Sequence, residues 1–199
     1  MSVSALILDR DGTLIAFGLN PEGDQDSAYF QSQLELYPQA TELLRPFCEA
    51  GVPIFLATNQ PGISKGHFTV DDLEEMHAEL ERRLKAGGVS LAGIYSCVHH
   101  PVGKAGGDPQ YVTDCDCRKP KPGLLTAIAQ DHGLDLTQAI MIGDSSADEG
   151  AARAAGIGAF FLVRAFISEV VPPARRVVPF PEALTFEQAI RKAAARLSS

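Results

Sequence analysis

The sequence predicts an α/β chain, a Rossmann-like three-layer α/β/α domain built on a mainly parallel sheet. Three observations predict it. Short aliphatic runs at residues 3–8, 52–57 and 139–142 do not alternate, as expected of strands buried on both faces. Helix-period segments separate those runs, which is the βα alternation of a parallel sheet with right-handed connections. Each run also ends abruptly in a polar cluster, at the strand end where ligands bind in open α/β sheets.

Composition agrees with that class. The chain has 199 residues, 45% of them hydrophobic and 21% charged, enough for one domain with a proper core. We read 1–199 as one domain, with no stretch long enough for a separate cap. A net charge of −8 argues against a nucleic-acid coat. No apolar run reaches bilayer length and no secretory pattern opens the chain, so the expectation is a cytoplasmic, monomeric protein with neither nucleic-acid nor membrane partners.

The first run ends in Asp9-Arg10-Asp11-Gly12-Thr13. Two carboxylates one residue apart repel each other unless a cation such as Mg²⁺ sits between them. One could attack phosphorus as a nucleophile and the other could protonate the leaving oxygen. Residues 20–33 are polar and read as a loop, a flap near the site. Leu43, Leu44, Phe47 and Ala50 then have helical spacing over 38–50, with Pro38 in the first turn, Gly51 at the cap, and Cys48 as a small core residue.

The second run leads into Thr58-Asn59-Gln60-Pro61-Gly62, a hydroxyl, two amides and Gly-rich backbone that can donate to phosphate oxygens. Residues 70–86 form a charged amphipathic helix with Leu73, Met76, Leu80 and Leu84 as its apolar stripe and His77 read as solvated. A strand over 91–98 follows.

Cys97 and His99, then Cys115 and Cys117, give three thiols and an imidazole in two short pairs, the donor set of a closed tetrahedral Zn²⁺ site. His100 is the other possible imidazole. The connection is rich in Gly, Pro and Asp, so a metal would supply the stabilisation that a core does not. The basic turn Arg118-Lys119-Pro120-Lys121 follows at once, and its arginine could grip a phosphate bidentately. Residues 123–133 are helical. The third run ends in Gly143-Asp144-Ser145-Ser146-Ala147-Asp148, whose Asp144 would complete an oxygen-rich Mg²⁺ site with Asp9 and Asp11. A small-residue helix at 151–156, a strand at 159–163, a Pro-broken wrap and a helix at 186–197 complete the chain, with 164–199 forming an extension.

These motifs resemble those of the haloacid dehalogenase (HAD) superfamily of phosphatases. The zinc-type spacing narrows the resemblance to the branch that contains heptose bisphosphate phosphatases and the phosphatase domain of histidinol-phosphatase. It implies Asp9 as nucleophile, Asp11 as general acid and base, and Thr58 and Lys119 as holders of the transferred group. Arg10, Asn59, Gln60, Pro61 and Arg118 would be substrate contacts, and His99 the zinc imidazole. It further implies Mg²⁺ and Zn²⁺ as cofactors and a small phosphorylated metabolite as partner. A heptose bisphosphate is expected as substrate, with histidinol phosphate or a nucleotide as the alternative. A non-catalytic zinc-stabilised binding module is the reading from another class. Two departures stand out: Ser145 replaces the family's usual lysine, and the connection between the zinc pairs is longer.

Overall fold

Strand β1 (Leu6–Leu8) is the middle strand of the sheet, and all three of its residues are fully buried. The computed structural model describes residues 3–20 and 22–197. Chain order continues with β2 (Gly18–Leu19), β3 (Gln25–Asp26), α1 (Ala40–Glu49), β4 (Ile54–Asn59), α2 (Val70–Ala86) and β5 (Gly93–Cys97). Then come α3 (Gly123–His132), β6 (Ile140–Gly143), α4 (Ser146–Ala155), β7 (Ala159–Leu162) and α5 (Phe186–Ala194). The main sheet runs β5-β4-β1-β6-β7 with every pairing parallel, while β2 and β3 form a separate antiparallel pair.

Burial on both faces explains why the strands do not alternate. Leu6, Leu8, Ile54, Leu56, Ile140 and Ile142 point to the face covered by α1, α5 and the end of α2. Ile7, Phe55 and Met141 point to the face covered by α3 and α4. The three layers follow from this. The front of α2 packs Leu73 and Met76 against Tyr29, Ile63 and Phe68. Among the described residues no helix is long and apolar enough to cross a membrane.

Several boundaries differ from the sequence reading. The first strand starts at Leu6 instead of Val3. Helix α1 starts at Ala40, after Gln39 at φ 60°, so Pro38 lies outside it and Pro46 lies inside. Helix α4 starts at Ser146, ahead of the small-residue stretch, because Ser145 caps it and Asp148 closes a capping box. The polar segment after β1 is folded: the β2–β3 pair and a 3₁₀ turn at Gln31–Gln33 occupy it. The extension ties that segment down. Phe166 N donates to Gly12 O at 2.7 Å, and Arg175 reaches Gly23 O at 2.7 Å and Asp24 at 2.9 Å. Gln25 exchanges two hydrogen bonds with the main chain of Val177.

Candidate active site

The ends of β1, β4 and β6 meet in one cavity, lined by Asp9, Asp11, Thr58, Asn59, Asp144 and Ser145 together with Lys119 from the turn after the last cysteine. Parallel neighbours bring their carboxyl ends to one sheet edge, which is why three separated motifs converge. Gly12 makes the approach possible. At φ 78° it has no room for a side chain, since a Cβ there would lie 2.6 Å from an Asp144 oxygen.

Lys119 is the hub. Its Nζ donates to Asp9 Oδ1 at 2.6 Å, to Ala57 O at 2.6 Å and to Asp148 Oδ1. Burial alone would lower its pKa, but Asp148 and Asp9 carry it above the usual lysine range. Asn59 fastens the main chain of Lys119 at both ends of its amide, 3.0 Å each way. Burial pushes Asp9 up to about 7 against the pull of Lys119, and Asp148 adds to the rise. Asp144 is pushed up to about 8 by burial and then by the charges of Asp9 and Asp148. No cation pairs with Asp144 among the described residues.

Asp11 is held differently. Arg10 grips its carboxylate through Nε at 2.9 Å and Nη2 at 3.2 Å. Gln60 Nε2 donates to it at 2.7 Å and Ala28 N at 3.3 Å. The grouping read from sequence needs correction here. The oxygens that lie within 4.8 Å of one another belong to Asp9, Asp144 and Asp148, while the Asp11 carboxylate is drawn aside by its four donors. Arg10 corrects a second expectation. Expected as a substrate contact, it has a fully buried side chain whose guanidinium is engaged by Asp11 and Gln60.

Gln60 is also buried, with its amide bridging Arg10, Asp11 and Thr58 Oγ1, the last at 2.8 Å. Pro61 lines a neighbouring cavity. Arg118 is half-buried and donates to His99 O at 3.3 Å.

His77 is the residue the sequence reading missed. It is not solvated: its Nε2 lies 3.2 Å from Arg10 Nη1. Arginine can only donate, so the ring must accept there and carry its proton on Nδ1. Burial, then the charge of Arg10, pushes His77 down to about 4. Its spacing offered a signal, since residue 77 is four beyond Leu73 and three before Leu80, on the edge of the buried stripe.

Cys97, His99, Cys115 and Cys117 bring their ligand atoms within 4.8 Å of one another. The Cys117 sulfur is 3.1 Å from that of Cys97 and 3.2 Å from that of Cys115, and His99 turns Nδ1 to it at 3.3 Å. All are free thiols. Burial, then its bonds to the other two sulfurs, holds Cys117 above the usual thiol range. His100 faces away, with Nδ1 2.7 Å from the carbonyl of Val102.

A phosphate-handling cleft of acids and one buried lysine, at the carboxyl edge of a parallel sheet, defines a phosphatase of the HAD type. The HAD-hydrolase-like family model matches residues 116–165. The D-glycero-beta-D-manno-heptose-1,7-bisphosphate 7-phosphatase of Pasteurella multocida is 37% identical over 161 residues, 80% of this chain and 81% of that one. The protein of the same name from Escherichia coli K12 is 34% identical over 163 residues, 82% and 80% of the two chains. The crystal structure of D,D-heptose 1,7-bisphosphate phosphatase from B. bronchiseptica, complexed with magnesium and phosphate, matches with a TM-score of 0.71 at 28% identity, over 96% of this chain and 99% of that one. The chain belongs to the heptose-bisphosphate phosphatase family of HAD-like hydrolases.

Proposed function

We propose that this enzyme removes the 7-phosphate of a heptose 1,7-bisphosphate by passing the phosphoryl group through Asp9. The observation that carries the reading is Asp9, at the end of β1, with Lys119 Nζ 2.6 Å away in a cleft shared with Asp11, Thr58 and Asp144. The Asp9 carboxylate attacks phosphorus and the bond to the sugar oxygen breaks. Asp11 gives that oxygen its proton, then takes one from the water that cleaves the aspartyl phosphate. Four N–H donors now fill the acceptor positions of Asp11, so the arrangement seen belongs to the base form, and one donor must yield when the acid form is needed. Lys119 and the Thr58 hydroxyl offset charge on the transferred group.

The acidic cluster fits Mg²⁺. Its donors are hard carboxylate oxygens, and Asp144 lacks a counter-ion. Asp9 and Asp144 would hold the ion, since Asp148 is engaged by Lys119 and Ser145. When bound, Mg²⁺ supplies charge neutralisation for the carboxylates and the phosphoryl oxygens. The three thiols and the Nδ1 of His99 fit Zn²⁺ as a closed structural site, and crowded thiolates without a cation would repel. We read the enzyme as a cytoplasmic monomer.

The test compares kcat/KM for D-glycero-D-manno-heptose 1,7-bisphosphate, histidinol phosphate and a nucleoside monophosphate. The heptose bisphosphate is expected to lead. A hundredfold win for either rival overturns the substrate and leaves the phosphatase standing.

A further inference from the structure

A second cavity adjoins the catalytic one. Ser27 lines both, and Gln60, whose amide touches Asp11 and Thr58, forms part of its wall. Tyr29, Lys65 and His67 line it as well. Tyr29 and His67 stack with ring centroids 4.9 Å apart and planes 11° from parallel, which makes one side flat and stiff.

Lys65 is half-buried in this wall, and no hydrogen bond or ion pair engages its ammonium among the described residues. Most other cations nearby are engaged, and Lys104, whose main-chain N donates to Ser64 O at 3.4 Å, is exposed and lines neither cavity. Lys119 serves Asp9 and Asp148, Lys121 serves Asp114 and Arg10 serves Asp11, while Arg118 gives one N–H to His99 O, has no ion pair among the described residues and lines neither cavity. The acid of the wall, Asp26, is also occupied: Tyr29 Oη donates to it at 2.6 Å and Ser27 N at 2.8 Å. Among the described residues that line this space, Lys65 is the one lysine or arginine and it has no partner, and the lining of the catalytic cavity has no cation beyond Lys119.

The long connection between the cysteine pairs fixes where Lys65 stands. A Cβ on Gly66, at φ 73°, would lie 2.5 Å from the carbonyl carbon of Gly106, and one on Gly107 would lie 2.1 Å from Ser64 O. Asp108 N donates to Ile63 O at 3.2 Å. The two loops meet backbone to backbone on either side of Lys65, so its Cα is held by main chain.

We propose that the distal phosphate of a sugar bisphosphate binds at the opening of this cavity, whose interior of about 20 Å³ is water-sized, and that Lys65 is the cation that selects for it. The proposal rests on the bisphosphate reading above and gives that reading a residue. A phosphate dianion matches an unpaired ammonium that gives up little on binding.

The test measures kcat/KM on a bisphosphate and its monophosphate counterpart, fructose 1,6-bisphosphate and fructose 6-phosphate, alongside the heptose bisphosphate. The full-length enzyme is compared with Lys65→Ala, Lys65→Arg and Arg118→Ala. In Lys65→Ala the bisphosphate-to-monophosphate ratio should fall by about 10- to 100-fold, carried by KM of the bisphosphate, with Lys65→Arg restoring most of it. A ratio is insensitive to the fraction of folded enzyme. An unchanged ratio in Lys65→Ala, or its loss in Arg118→Ala alone, overturns the proposal. A wild type that shows no preference for the bisphosphate also overturns it. If fructose 1,6-bisphosphate is discriminated through Lys65 while another substrate class outruns the heptose, the subsite stands and the natural substrate is wrong.

Discussion

His77→Gln should flatten the acid sensitivity of the fold. In the folded protein His77 titrates at about 4, pushed down by burial and by Arg10. In the unfolded chain it returns to about 6.5. Between those values the unfolded state binds more protons, so stability is present above pH 6.5 and is lost as pH falls toward 4. For one such group the loss between pH 7.5 and pH 5.0 comes to about 2 kcal/mol. Gln keeps a neutral acceptor in reach of Arg10 Nη1 and removes the titration. Urea unfolding of both proteins at the two pH values gives the difference of differences, in which acid effects on zinc ligands and other carboxylates cancel. The wild type should lose about 2 kcal/mol more than the variant. Equal losses would mean that His77 is not neutral against Arg10, and the account of how Asp11 is anchored would fall with it.

Asp9→Asn should lower turnover by about a thousandfold or more at unchanged thermal stability, since an amide is a poor nucleophile of the same shape; activity near wild type would exclude covalent capture on Asp9. Purified protein should carry about one zinc per chain, and Cys115→Ser should lower both the zinc content and Tm, as read by metal analysis and calorimetry. Ser145→Ala removes the cap that receives Asp148 N and should cost about 1 kcal/mol in urea unfolding, whereas Ser146→Ala, inside the helix, should cost little.

Much of this molecule could be read in advance because its strands are buried on both faces. That burial makes β1, β4 and β6 unbroken aliphatic runs, and it makes the polar residues at their ends conspicuous. The direction of Arg10 was also readable in principle. Successive side chains at a strand end point to opposite sides, so a residue between Asp9 and Asp11 faces away from whatever they share. The β2–β3 pair was out of reach, since two-residue strands carry no period. It exists through partners such as Val177 and Arg175, about 150 residues away in sequence. The separation of Asp11 from the carboxylate cluster was equally hidden. It depends on Ala28 N and Gln60 Nε2, which arrive from segments whose mutual distance no spacing reports.

The ties between the extension and the segment after β1 set an order of events in the cell. The ribosome releases β1 early, but the bonds from Phe166 to Gly12, from Arg175 to Gly23 and from Val177 to Gln25 cannot form until the chain has grown past residue 177. Until then the wall that contains Ser27 is unbraced, and α5, which covers one face of the sheet, has still to emerge. A chain truncated before Arg175 would lose the ties from Arg175 and Val177 and α5 with them, whose buried Phe186, Ala189, Ile190 and Ala193 complete the core on one face of the sheet.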